Sequence, residues 1–193
     1  MLGLKLPTDP RWVNMAEISL EDILTDHAYC EQKAATSCIS LIQQNPERID
    51  MVKALAPIVT EEWGHFRMVL MELEKRGLTL GRQRKDEYVN ALLQFQKRGG
   101  SRTDSLVERL LTNALIEARS CERFRLLSLH LSEQELKDFY HTFMVSEAGH
   151  YRLFLELARK YGDEEKVNAR WQEYLEHEKQ IMKDLELRGD RMH

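Results

Sequence analysis

The sequence predicts an all-α fold: a four-helix bundle with a long crossover that contains a short helix, and an extra helix at the C-terminus. Three observations carry this expectation. Apolar residues recur at helical spacing along the long segments. Glycine and proline are sparse, nine and four in 193 residues, so long loops are not expected. And the chain states one motif twice. Glu62-Trp63-Gly64-His65-Phe66-Arg67-Met68-Val69-Leu70 runs on to Lys75 and Gly77. Glu147-Ala148-Gly149-His150-Tyr151-Arg152-Leu153-Phe154-Leu155 runs on to Lys160 and Gly162, with Glu, Gly, His, Arg, Leu, Lys and the closing Gly at matching offsets. Each copy holds Glu-x-x-His, whose i, i+3 spacing puts a carboxylate beside an imidazole on one helix face.

The echo extends upstream. Glu31 precedes Glu62 by 31 positions, and Glu117 precedes Glu147 by 30. Those are centre-to-centre spacings of two helices joined by a tight turn, so each half reads as a hairpin. One Glu from each of two helices plus Glu-x-x-His from each of the other two is the ligand set of ferritin-like di-iron carboxylate bundles. The candidate metal ligands are therefore Glu31, Glu62, His65, Glu117, Glu147 and His150. The known ligand pattern implies that Glu62 and Glu147 bridge while Glu31 and Glu117 are terminal. Four clustered carboxylates without metal would repel. Two divalent ions offset their charge of −4, and hard oxygen donors with a little imidazole suit iron or manganese better than zinc.

The elements follow in order. Residues 1–18 read as an irregular arm with Pro7 and Pro10, tucked in by Trp12, Val13 and Met15. Ser19 and Asp22 resemble a capping box opening a helix over 20–44, with Ile23, Leu24, Cys30, Ala34, Ile39 and Leu41 on its apolar face. Asn45 as N-cap and Pro46 at the first position start a second helix over 46–76. Pro57 is expected to kink or break it, and Gly77 stops it. A short helix from about Lys85 to Lys97 spans roughly 20 Å of the crossover, ended by Gly99-Gly100-Ser101. A helix over 104–131 follows, then Ser132 and Glu135 as a capping box for a helix over 133–161, closed by Gly162. A last helix over 163–187 carries Val167, Trp171, Tyr174, Ile181 and Leu185. The tail from Arg188 to His193 is expected to fray. The whole, 1–193, reads as a single domain.

Net charge is −4, with 28 basic and 32 acidic residues, so nucleic-acid binding would need a local patch. The most basic stretch is the crossover, with Arg82, Arg84, Lys85, Lys97, Arg98 and Arg102; the fallback is Arg119, Arg123 and Arg125. No apolar run approaches the roughly 20 residues that span a membrane, and no signal-peptide core opens the chain. Cys30, Cys38 and Cys121 are odd in number and read as reduced thiols in a cytoplasmic setting. His27, one turn before Glu31, reads either as support for that ligand or as an ordinary histidine. Small residues flank both lone glutamates (Ala34, Ala35, Ala114, Ser120, Cys121) and leave room for oxygen and substrate, or serve close helix packing. Arg67 and Arg152 read as partners of acidic neighbours. His130, His141 and His177 fit no second constellation.

Local segments are more specific than the ligand pattern. Leu4-x-Leu6-Pro7-Thr8-Asp9-Pro10-Arg11-Trp12, His27-Ala-Tyr-Cys-Glu31-x-Lys-Ala-Ala35, Glu61-Glu62-Trp-Gly-His65-Phe66, Ala114-Leu-Ile-Glu117-Ala-Arg-Ser-Cys-Glu-Arg-Phe124 and Ser146-Glu147-Ala-Gly-His150-Tyr151 resemble the MiaE-like family of tRNA hydroxylases. The resemblance covers the whole chain and implies a non-haem di-iron monooxygenase. Such an enzyme hydroxylates the isopentenyl side chain of 2-methylthio-N6-isopentenyladenosine beside the tRNA anticodon. It implies two iron ions, O2 as co-substrate, tRNA as partner and, with no nicotinamide or flavin fingerprint present, a separate electron-donor protein. Oligomeric state is left open, a monomer included. A rubrerythrin- or ferritin-like peroxide- or iron-handling protein is the alternative, although no rubredoxin-type Cys-x-x-Cys pair is present. A metal-free helical binding module is the other.

Overall fold

A computed structural model describes residues 2–193. Among these residues there are seven α-helices and no strand: α1 (Arg11–Ile18), α2 (Leu20–Gln44), α3 (Ile49–Lys75), α4 (Glu87–Phe95), α5 (Arg102–His130), α6 (Gln134–Tyr161) and α7 (Glu164–Asp184). The chain divides into two compact units. One comprises Asn14–Lys85 and Arg188–Met192; the other comprises Met1–Val13, Asp86–Leu187 and His193.

The first unit is a hairpin of α2 on α3. On α3 the buried positions are Met51, Leu55, Ile58, Glu62, His65, Phe66, Val69, Glu72 and Leu73. That is a helical stripe whose apolar members drive packing. On α2, Ile23, Leu24, Ala28, Ala35, Cys38 and Leu41 do the same. Ile39, expected on that face, is 41% exposed, so the stripe turns through Cys38 instead. The expected proline break does not occur: α3 runs unbroken through Pro57. Pro57 and Lys53, whose carbonyl it deprives of a donor, both lie on the exposed face where water serves that carbonyl. Asn45 is not the N-cap of α3. It is the C-cap of α2, its side-chain amide donating to Leu41 O at 3.0 Å, and α3 starts at Ile49. The stop at Gly77 is as expected. Its φ of 67° is a left-handed conformation, and Gly77 N–H and Leu78 N–H donate to Glu74 O and Leu73 O, a Schellman closure.

The second unit is a hairpin of α5 on α6, with α4 and α7 against it. The helix starts depart from expectation. Ser19 makes no side-chain cap, and α6 opens from Glu133 without one. The reciprocal capping box is at α5: Asp104 N–H donates to the Ser101 hydroxyl oxygen, and Ser101 N–H donates to Asp104 Oδ2. In the opening arm, residues 11–18 are helical. Asp9 accepts from Arg11 N–H at 2.9 Å, and Pro10, which has no N–H to satisfy, suits a helix start. Trp12 and Val13 are buried as expected, with the Arg123 guanidinium 4.6 Å from the Trp12 ring centroid.

Arg119 on α5 organises the second unit and is fully buried. Its guanidinium donates to Glu178 of α7 (2.5 and 2.8 Å), Glu122 (2.7 Å), the Thr8 hydroxyl (3.1 Å) and Leu6 O (2.9 Å). Glu122 also accepts from Thr8 N–H and hydroxyl. Burial opposes the charge on Arg119, but Tyr88, Glu178 and Glu122 more than offset this and push its pKa up.

The tail is not frayed. Within the first unit, Met192 is buried and its N–H donates to Asp26 Oδ2 at 2.7 Å. Asp190 accepts from Arg84 at 3.2 Å and Arg188 at 2.9 Å. Gly189 lies so close to the Met15 backbone that a Cβ would overlap it. Gly189→Ala should therefore lower stability by about 1–3 kcal/mol, as overpacking does elsewhere. A urea midpoint equal to that of the parent would show that the tail is not docked there. In the second unit the His193 ring stacks on Tyr88, centroids 5.1 Å apart, and its Nε2 lies 2.9 Å from Ser120 Oγ.

Candidate metal centre

Each unit carries one buried Glu, Glu, His triad. In the first, Glu31 comes from α2, and Glu62 and His65 from α3. Glu62 and His65 occupy the buried stripe of α3 itself, between Ile58 and Val69, and Glu31 lies among the buried residues of α2. His65 Nδ1 lies 3.3 Å from Glu31 Oε2 and 3.5 Å from Glu62 Oε2. One donor atom from each of the three falls within 4.8 Å of the others. His27, fully buried on α2, places Nε2 2.7 Å from Glu31 Oε1.

The second triad repeats this with Glu117 of α5 and Glu147 and His150 of α6. On α6 the buried stripe reads Leu136, Tyr140, Phe143, Glu147, His150, Phe154, again with the ionisable pair at its centre. His150 Nδ1 is 3.8 Å from Glu147 Oε2, and the three donor groups also lie within 4.8 Å of one another. Cys121, one turn past Glu117, is not part of the donor set. Burial, with Glu147 and Glu117 adding to it, pushes its thiol up to about 12, and its Sγ–H donates to Met144 O at 3.2 Å.

This donor chemistry fits a pair of hard cations. Burying carboxylates costs several kcal/mol each unless their charge is met, and here two sit beside an imidazole in each apolar stripe. Two oxygens and one nitrogen per half, with the nearby sulfur protonated, suit iron or manganese. Phe66 and Val69 on α3, and Phe143 and Phe154 on α6, are buried on the same helix stripes as the ionisable pairs.

The remaining sequence candidates lie elsewhere. Arg67 and Arg152 are exposed, Arg152 Nε donating to Ala148 O at 3.2 Å. His130 and His141 are exposed, and His177 stacks on Phe95 at 4.0 Å. Of the basic crossover residues, Arg82 and Lys85 in the first unit and Lys97, Arg98 and Arg102 in the second are exposed. Arg84 is spent on Asp22 at 2.8 Å and on Asp190. Lys97 and Arg98 line an open groove of about 680 Å³ beside α7, yet its bases Lys97, Arg98, Lys166 and Arg170 are matched by Asp104, Glu108, Asp163 and Glu173. The fallback RNA surface on α5 is wrong: Arg119 and Arg123 are buried, which leaves Arg125 alone exposed. Sequence reasoning took Arg119 for a surface cation because its partners Thr8 and Glu178 are 111 and 59 positions away.

The family described as tRNA-(MS[2]IO[6]A)-hydroxylase (MiaE) matches residues 2–193. A Pseudomonas putida protein named tRNA 2-(methylsulfanyl)-N(6)-isopentenyladenosine(37) hydroxylase is 38% identical over 161 residues, which covers 83% of this chain and 77% of that protein. A Salmonella typhimurium protein of the same name is 28% identical over 216 positions, covering 86% and 78%. Among solved structures, a Synechococcus protein described as having aldehyde deformylating oxygenase activity matches with a TM-score of 0.92 and 30% identity, over 98% of this chain and 94% of that one. That neighbour is ferritin-like, and the all-α fold of the present chain is of the same class.

Proposed function

The chain belongs to the MiaE family of tRNA hydroxylases, and from that premise we propose that it hydroxylates the isopentenyl group of 2-methylthio-N6-isopentenyladenosine in tRNA at a di-iron centre shared by its two triads. The observation that carries this reading is the pair of Glu, Glu, His triads sunk in apolar stripes, one in each hairpin. The residues that would hold the metal are Glu31, Glu62 and His65 of one unit and Glu117, Glu147 and His150 of the other. Bound iron supplies the redox chemistry: with O2, two electrons and two protons, one oxygen atom enters a C–H bond of the substrate and the other leaves as water.

The protein's own part is to hold and to shield. Each imidazole stands one helical turn from its glutamate, so α3 and α6 each present two donors at a spacing fixed by the backbone. The buried apolar stripes that carry the triads, with Phe66, Val69, Phe143 and Phe154, exclude bulk water, which protects a reactive oxidant from side reactions. Electrons come from a separate donor protein. Among the described residues no helix is long and apolar enough to cross a membrane. A tRNA substrate supports a cytoplasmic reading.

The test is hydroxylation of tRNA that carries the isopentenyl modification but lacks the hydroxyl, read by nucleoside mass spectrometry with and without O2. A product gain of one oxygen atom, labelled from 18O2, is expected. An aldehyde serves as the second substrate, because of the likeness to the Synechococcus oxygenase. Turnover of the aldehyde with none of the tRNA would reject the reading.

RNA contact is assigned to the exposed basic residues Arg82, Lys85, Lys97, Arg98 and Arg102 of the crossover; Arg84 is set aside because it ties Asp22 to Asp190. Phosphate contacts are the usual source of such affinity, and a buried centre requires the base to be extruded. Replacing Lys97, Arg98 and Arg102 together by Gln should weaken tRNA binding and flatten its salt dependence by about one unit of slope per lost phosphate contact. Iron content should not change. An unaltered salt slope would place the RNA on another face.

A further inference from the structure

The two halves repeat each other at Glu31 and Glu117, Glu62 and Glu147, and His65 and His150. They differ one turn before the lone glutamate. In the first half that position is His27; in the second it is Asn113. His27 is fully buried and its Nε2 lies 2.7 Å from Glu31 Oε1. The other oxygen of the same carboxylate, Oε2, is the one that lies 3.3 Å from His65 Nδ1. The Glu31 carboxylate is thus divided between two neighbours: Oε1 toward His27 and Oε2 toward the triad. Asn113 is half-buried and carries a shorter side chain than histidine.

We propose that His27 is a positioning residue for the first triad: its Nε2–H donates to Glu31 Oε1, fixes the carboxylate torsion, and leaves Oε2 as the single oxygen offered to metal. A carboxylate in an apolar helix stripe rotates about its last torsion at little cost unless something pins it. A charge-assisted hydrogen bond of this length is among the strong ones, and partners of this kind set ligand orientation and metal affinity. At the matching position the second triad carries Asn113 in place of an imidazole.

This rests on the di-iron reading, and the test separates the two. Fe(II) binding isotherms and Mössbauer spectra are compared for the parent chain, His27→Ala, His27→Phe and His27→Gln. The parent should take up two irons; a parent that takes up none overturns the di-iron reading itself. His27→Ala should weaken one of the two binding steps by about tenfold to a hundredfold and leave the other in place. His27→Phe keeps the bulk of the ring without its N–H, so it should lose the same step even where alanine unfolds the helix. His27→Gln restores an N–H donor near the Nε2 position and should recover most of the affinity. The proposal is overturned if His27→Phe binds two irons with the parent isotherm and spectrum.

Discussion

Glu62→Ala and Glu147→Ala should each abolish tRNA hydroxylation and release most of the bound iron while leaving the helices folded. Each glutamate sits in the buried stripe of its helix, one turn before a histidine, at the centre of a triad. Loss of either removes one donor carboxylate outright, so the drop should go well beyond the roughly tenfold to hundredfold typical of an outer partner. Stability should move the other way. Without metal, clustered buried carboxylates repel one another, and removing one relieves that repulsion, which offsets the volume lost. The iron-free variants should therefore melt no lower than the iron-free parent. Lys5→Ala, which removes only an exposed pair with Glu176, serves as the inert control. Full iron content in either glutamate variant would remove that residue from the ligand set.

Arg119→Ala should cost about 3–5 kcal/mol, the range seen when one member of a buried ion pair is deleted. The guanidinium is fully buried and joins the opening arm, α5 and α7 through Leu6, Thr8, Glu122 and Glu178. Its loss leaves the buried carboxylates of Glu122 and Glu178 without their cation, and frees the arm. Typical domains have only 5–15 kcal/mol in hand, so unfolding should begin at far lower urea. Arg119→Lys should rescue little, because a point charge cannot replace a planar fork that reaches several acceptors. A midpoint shift worth under about 1 kcal/mol would mean that the network is not structurally important.

The parts of this protein that could be read from sequence are those fixed by neighbours along the chain. The doubled Glu-x-x-His motif, the partner glutamates one helix upstream and the stops at Gly77 and Gly162 all depend on helix periodicity and local backbone. They led to the helix spans and to both triads. Long-range contacts were not legible. Residues 188–193 look like a polar tail, and only Asp26, Met15 and Arg84 reveal that it is tied down. Arg119 looks like one basic residue among several until Thr8 and Glu178 close around it. Competing local solutions defeated other readings: Asn45 is equally suited to end one helix or to begin the next, and Pro57 is tolerated because its orphaned carbonyl faces water. The asymmetry at His27 and Asn113 was visible as two letters, but its meaning needed the 2.7 Å distance to Glu31.

The central claim is that the two triads serve one dinuclear centre, and iron stoichiometry combined with Mössbauer spectroscopy tests it most directly. Protein loaded anaerobically with Fe(II) and then oxidised should hold two irons per chain, antiferromagnetically coupled into a diamagnetic pair. A single iron, or two irons that remain magnetically independent, would contradict a shared centre.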